Sequence, residues 1–310
     1  MSLCILSGSA HVQLGRSIGN ALGVELSVCN VERFPDGELR PTVGLLQDGD
    51  VYIVQPTGPP VNDHLVELLL LIDACRRAGA GRITAVIPYL GYARQDRRDA
   101  AGQAIGAQVV ARAIATSGAD RVIVVDPHTP AIEMVFDVPV EMVTAVPVLA
   151  KALGEHIGED TVIVAPDLGA VKLAEHYGSI LEKSVVMVRK TRRSGSEVRV
   201  EEVIGGVDGK PVVIVDDMIS TGATIQAAAK AVVERGALPD LVVAATHGLL
   251  LRSPKRSTFP LIGRILVTDS LPPRPSSDLA LEVVSIAPLL ADAIGRLHHR
   301  RPLDDLLIPG

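Results

Sequence analysis

The chain has no tryptophan, and only three phenylalanines and four tyrosines among its 310 residues. With so few rings, its cores must be built from aliphatic side chains, and a phenylalanine in a polar loop calls for a reason. Cysteine is scarce as well. Cys4, Cys29 and Cys75 are odd in number, far apart in sequence and form no C-x-x-C pair, which argues against a disulfide framework and a zinc site and fits a reducing cytoplasm. No long apolar run is present. The longest, near residues 65–75, contains Glu67 and Asp73 and is too short and too charged to cross a bilayer. The start, Met1-Ser2-Leu3-Cys4, has no basic segment leading into an apolar one, so it does not read as a signal peptide. Positive charge is not in excess: the formal net charge is −6, which weighs against a nucleic-acid binder. It does not exclude phosphate ligands, which backbone N–H groups and a few local Lys and Arg side chains can hold.

What is present is 47% hydrophobic and 21% charged residues, in a length that suggests about two domains. Val- and Ile-rich runs recur at residues 51–54, 83–87, 122–125, 162–165, 185–188, 212–215 and 241–245, with helix-like segments at 63–77, 104–117, 146–156 and 224–235. Short apolar strands alternating with helices predict an α/β protein with mainly parallel sheets. The chain also echoes itself. DVYIVQPTGPPVNDHLVELLLLIDACRRAGAGRITAVIP and KPVVIVDDMISTGATIQAAAKAVVERGALPDLVVAATHG both run strand, Gly-containing loop, helix, Gly-Ala turn, strand. That offset suits a duplicated domain rather than a solenoid. The expected division is 1–145, then 146–285, then a helix and tail over 286–310 that packs back on the first domain, with the polar residues after Pro302 frayed.

The strongest local signal is VVIVDDMISTGAT, residues 212–224. A buried strand ends in Asp216 and Asp217, and a small-residue loop, Ser220, Thr221, Gly222, Ala223 and Thr224, opens a helix. Ligands of α/β sheets bind at the carboxyl ends of strands, and a helix N-terminus favours a phosphate. The carboxylates would repel that phosphate unless they face something else, and the vicinal hydroxyls of a sugar are the natural partner. Loop and acid pair together predict a sugar-phosphate cradle. The plainer alternative is a strand–turn–helix with a Ser or Thr cap.

Four other stretches carry chemistry. Phe34 sits in the polar loop Arg33-Phe34-Pro35-Asp36-Gly37-Glu38, where its ring would either stack on a base or plug a small core. Arg94, Gln95 and Arg97 follow a strand, where guanidinium forks clamp phosphates unless the loop is simply solvated. His128 and Asp167 each follow a strand, in Asp126-Pro127-His128 and Pro166-Asp167-Leu168-Gly169. A lone His is more often structural than a ligand. Lys190, Arg192 and Arg193 open KTRRSGSE, either a mobile basic loop that closes over developing negative charge or a hairpin with solvated charges.

The cradle resembles the phosphoribosyl diphosphate (PRPP) loop of type I phosphoribosyltransferases and of ribose-phosphate diphosphokinases. The four stretches, in order and at matching spacing over nearly the whole chain, resemble the diphosphokinases specifically. That resemblance implies two phosphoribosyltransferase-like domains with the active site between them. It implies ATP on Phe34, Asp36, Gly37, Glu38, Arg94 and Gln95; ribose 5-phosphate on Asp216, Asp217, residues 220–224 and Arg192; Mg²⁺ on His128 and Asp167; and catalysis by Lys190 and Arg192. A cytoplasmic homo-oligomer, at least a dimer, with no nucleic-acid or membrane partner is implied too. A PRPP-consuming transferase and a non-catalytic regulatory homologue remain as alternatives. One stretch departs from the common bacterial class of the family, which carries two further arginines and then Pro-Ile-Thr-Ala-Lys after Arg-Gln-Asp-Arg. Here residues 98–108 read RDAAGQAIGAQ, which implies weaker activation by free phosphate and weaker inhibition by ADP.

Overall fold

The structure is a computed structural model, and it describes residues 1–192, 198–251, 255, 257–273 and 278–309, with the side chains of residues 190–201 outside that description. The chain divides into two units. The first holds Met1–Thr144, Ser270–Pro272 and Ile286–Gly310, and the second Ala145–Asp269 and Pro273–Ser285.

In chain order the first unit carries β1 (Leu3–Ser7), α1 (Val12–Leu22), β2 (Cys29–Arg33), β3 (Leu39–Val43), β4 (Asp50–Val54), α2 (Val61–Arg77), β5 (Arg82–Ile87), α3 (Gly106–Ser117), β6 (Arg121–Val125) and β7 (Val140–Val143). Its main sheet has the order β1-β4-β5-β6-β7 and is parallel throughout. The second unit carries α4 (Val146–Gly154), β8 (Val162–Ala165), α5 (Val171–Leu181), β9 (Val185–Arg192), β10 (Val198–Ile204), β11 (Val212–Ile219), α6 (Ala223–Glu234), β12 (Leu241–Gly248), β13 (Ile262–Thr268) and β14 (Ala280–Val284). The order of its sheet is β10-β9-β8-β11-β12-β13-β14, with only β10 antiparallel to its neighbour. This is the α/β class expected from the sequence.

The strands read as unbroken apolar runs because helices cover both faces of each sheet. In the second unit, alternate residues sort to opposite sides. Val162, Val164, Val212, Ile214 and Val243 pack with Ile225, Ala228 and Val232 of α6. Ile163, Ala165, Val213, Val215 and Ala244 pack with Leu149 and Leu153 of α4 and Ala174 of α5. In the first unit, Val51, Ile53, Ile83, Ala85 and Val124 face Leu68, Leu71, Ile72 and Ile114 of α2 and α3.

The last helix, α7 (Ala287–His298), lies against α1. The chain beyond it is not frayed, contrary to the sequence expectation. The N–H of Ile308 donates to the Met142 carbonyl at 2.9 Å, the N–H of Thr144 donates to the Leu306 carbonyl at 2.9 Å, and Leu303 is buried. Strand β7 is the edge of its sheet, and the tail satisfies backbone groups that this edge leaves open. Arg296 adds a side-chain anchor by pairing with Asp292 and Asp305. The cysteines, distant in sequence, come together in the first unit as free thiols. Burial first, then Glu67, pushes Cys29 up to about 11. Burial first, then Cys29 and Cys4, pushes Cys75 up to about 12.

Candidate functional site

In the second unit, β11 delivers its last residues to the carboxyl end of the sheet and α6 starts at Ala223. The helix cap is Gly222, at φ +81°, with no capping side chain. The cap position itself therefore carries no Ser or Thr, and the nearest side-chain acceptor is the Thr221 hydroxyl one residue earlier. Thr221 and Ala223 are exposed, and Thr221 Oγ1 lies 3.5 Å from the Ala223 N–H.

Asp216 and Asp217 are half-buried, and β11 does not stop at them as the sequence suggested but runs on through Met218 and Ile219, which pair with β12; the Asp217 N–H donates to Asp216 Oδ1 at 3.0 Å. Burial, then the Asp217 charge and hydrogen bond, then the Asp167 charge push the Asp216 carboxyl well above the ordinary carboxylate value. The cause is one of topology. Strands β8 and β11 are hydrogen-bonded neighbours, so the loop after β8, which carries Asp167, runs beside the end of β11. Asp167 itself caps a short 3₁₀ turn, accepting the Gly169 N–H at 3.0 Å. Three carboxylates at one corner repel one another, and a cation or a set of hydroxyl donors would relieve that repulsion.

The first unit arranges two segments around the start of α2. Strands β2 and β3 form a hairpin whose tip holds Phe34, Asp36, Gly37 and Glu38. The tip closes on itself: the Phe34 N–H donates to the Glu38 carbonyl at 2.8 Å, the Gly37 N–H to the Phe34 carbonyl at 2.9 Å, and the Glu38 N–H to Asp36 Oδ1 at 3.1 Å. The Phe34 ring is not a core plug. It is half-exposed, with the Arg40 guanidinium 5.0 Å from its centroid, a cation–π contact that orders the ring.

Arg33 ties this hairpin to Asp63 at 3.0 Å, while the Tyr92 hydroxyl donates to Asn62 Oδ1 at 2.5 Å. Two adjacent residues in the first turn of α2 thus fasten the hairpin and the loop after β5, where Arg94 and Gln95 are exposed. Sequence reasoning missed Asn62 and Asp63, because nothing in a helix start marks which loops it will hold. His128 is exposed just beyond β6.

Strand β9 places the backbone of Lys190 and Arg192 opposite β10, pairing Val200 with Lys190 and Val198 with Arg192. Their side chains, and Arg193 altogether, lie outside the described residues. Among the described residues no three His, Cys, Asp or Glu side chains form a metal-binding group, and no helix is long and apolar enough to cross a membrane.

Two family models match. That of the N-terminal domain of ribose phosphate pyrophosphokinase covers residues 3–118, and that of the phosphoribosyl transferase domain covers residues 141–248. A ribose-phosphate pyrophosphokinase of Rhodopirellula baltica is 42% identical over 310 residues, covering 98% of both chains. One from Gloeobacter violaceus is 41% identical over 300 residues, covering 96% of this chain and 90% of the relative. Among solved structures, phosphoribosylpyrophosphate synthetase from Mycobacterium smegmatis superposes with a TM-score of 0.89 at 36% identity, covering 97% of this chain and all of that one.

Proposed function

The chain belongs to the ribose-phosphate pyrophosphokinase family of enzymes, and from that premise we propose that it transfers the diphosphoryl group of ATP to the 1-hydroxyl of ribose 5-phosphate, giving PRPP and AMP. The observation that carries this reading is the pairing of an acid corner with a helix start capped by glycine. Asp216 and Asp217 stand just before β11 ends at Ile219, and Gly222 caps α6 with no side chain of its own.

The 5-phosphate of the sugar sits on the loop of residues 220–224, held by N–H groups and the helix dipole. Its 2- and 3-hydroxyls donate to Asp216 and Asp217. Seated this way, the sugar presents its 1-hydroxyl for in-line attack on the β-phosphorus of ATP. On the first unit, Phe34 stacks on the base, backed by Arg40, and Arg94 and Gln95 take polar groups of the nucleotide. Asp36 and Glu38 accept hydrogen bonds from it. Lys190 and Arg192 stabilise charge on the group in flight, and no covalent enzyme intermediate is required.

Asp167 would offer Mg²⁺ the hard oxygen donor that this ion prefers. His128 is the less typical donor for that ion. Mg²⁺, when bound, neutralises phosphate charge and polarises the β-phosphoryl oxygens.

The division of labour is testable by calorimetry with each substrate alone. Wild-type protein binds both, and Asp216→Ala loses ribose 5-phosphate while keeping ATP. Equal loss of both would remove the assignment of the cradle.

A further inference from the structure

In the second unit the loop of residues 219–222 is held from behind by the connection between β12 and β13. The N–H of Leu250 donates to the Ile219 carbonyl at 2.9 Å and that of Leu251 to the Ser220 carbonyl at 3.0 Å. One side chain completes this support. Phe259 is 1% exposed, and its ring lies directly behind Gly222. A Cβ built on Gly222 would stand 2.4 Å and 2.5 Å from two ring carbons, far inside van der Waals contact. Glycine at 222 is therefore required twice, by its φ of +81° and by the ring.

A half-open pocket of about 370 Å³, lined by Ala223, Gln226, Lys230, Phe259 and Ile262, lies along the adjoining face of α6. Phe259 lines this pocket and also backs Gly222. A smaller side chain would extend the pocket to the back of Gly222 and leave the start of α6 unsupported.

We propose that Phe259 is a positioning residue for the sugar-phosphate loop, holding Gly222 and the first N–H groups of α6 in the geometry that receives the phosphate. The inference rests on the assignment of that loop to ribose 5-phosphate. Phe259 touches no reacting atom and acts through Gly222. It also contributes to the hydrophobic core, so loss of stability alone proves nothing. The distinguishing readout is coupling between the two residues, together with selectivity for one substrate.

The experiment is a double-mutant cycle of Gly222→Ala and Phe259→Ala, read by calorimetric affinity for ribose 5-phosphate and, separately, for ATP. Phe259→Leu stands in if Phe259→Ala does not fold, and circular dichroism confirms folding in each case. Phe259→Ala is expected to weaken ribose 5-phosphate about tenfold and leave ATP unchanged. Gly222→Ala is expected to be worse alone. Removing the ring is then expected to recover about tenfold of that loss, which against the tenfold cost of Phe259→Ala alone is a coupling of about 100-fold, within the range for residues in direct contact. Additive losses, or equal loss of both substrates in Phe259→Ala, would overturn the positioning role. Wild-type protein that binds ATP but no ribose 5-phosphate would overturn the assignment of the loop and the brace with it. That failure is distinct from additivity, in which binding is present and only the coupling is missing.

Discussion

His298 Nδ1 lies 2.7 Å from the Asp50 carboxylate, joining the last turn of α7 to the first residue of β4 across 248 positions of sequence. Asp50 is 1% exposed and also accepts two hydrogen bonds from Arg82, at 2.7 Å and 2.6 Å. Arg82 reaches the Leu297 carbonyl at 3.5 Å as well. One carboxylate thus fastens β4, β5 and α7.

Burial by itself would raise the Asp50 carboxyl, but hydrogen bonds from Arg82 and His298 outweigh it and hold the group below its ordinary value. A folded value below the unfolded one contributes stability at all pH values above the unfolded value, about 3.9. That contribution is lost as pH falls through the folded value, so the window lies below about pH 4. Asp50→Asn leaves the Arg82 charge uncompensated and is expected to cost about 3 kcal/mol or more at neutral pH. Urea unfolding across pH checks this: the variant should show a shallower acid limb than the wild type. Identical acid limbs would remove Asp50 from the account.

Nucleotide binding should respond in a graded way to changes around the start of α2. A base stacked on an aromatic ring is worth about 1–3 kcal/mol, so Phe34→Ala is expected to weaken ATP about tenfold or more. Asp63→Ala breaks an ion pair whose partners are about half exposed, a type worth at most about 1 kcal/mol, and should weaken ATP only a few-fold. Ribose 5-phosphate affinity should not move in either variant. Calorimetry decides, and a larger loss from Asp63→Ala than from Phe34→Ala would show that the ring is not the base platform.

Lys190 and Arg192 are proposed to act on charge that develops during transfer. Alanine at either position should then lower kcat on the order of 100-fold or more, with a much smaller change in KM. Steady-state kinetics with each substrate varied in turn makes the separation. Near-normal turnover in both variants would exclude the role.

Activation by free phosphate is expected to be weak. Over residues 98–108, Ala, Gly and Gln stand where the common bacterial class carries basic side chains, and each lost charge-assisted hydrogen bond is worth about 1.5–3 kcal/mol. Gln103 instead accepts the N–H groups of Asp99 and Ala100 at 2.9 Å and 3.0 Å, shaping a self-contained exposed turn. Initial rates against added phosphate, at fixed ionic strength, test this. Strong activation from a near-zero baseline would contradict it.

The sequence was most legible where one local rule decides the structure. Apolar runs marked the inner strands β4, β5, β6, β8, β9, β11 and β12 but not the outlying parallel strands β1, β7, β13 and β14, and the run leading into Asp216 and Asp217 opened a helix at Ala223, within one residue of the expected start. The β2–β3 hairpin was harder to see, because its strands are half-exposed and carry polar residues such as Asn30, Glu32, Arg40 and Thr42. Long-range pairings were invisible. Nothing local to His298 marks Asp50 as its partner, and residues after Pro302 read as frayed until the edge of β7 received them. The placing of Phe259 behind Gly222 was hidden for the same reason, since that contact depends on how the β12–β13 connection returns. Charge and composition carry information along the chain, whereas these contacts depend on register across it.

The most direct test of the proposed activity follows label from ATP. The protein is incubated with ribose 5-phosphate, Mg²⁺ and ATP labelled in separate reactions at the β- and γ-phosphorus, and the products are resolved by chromatography. Attack on the β-phosphorus places both labels in PRPP and releases unlabelled AMP in equal amount. Transfer of the γ-label alone, with ADP as the co-product, or no PRPP from these substrates while added PRPP is consumed with a nucleobase, would contradict it.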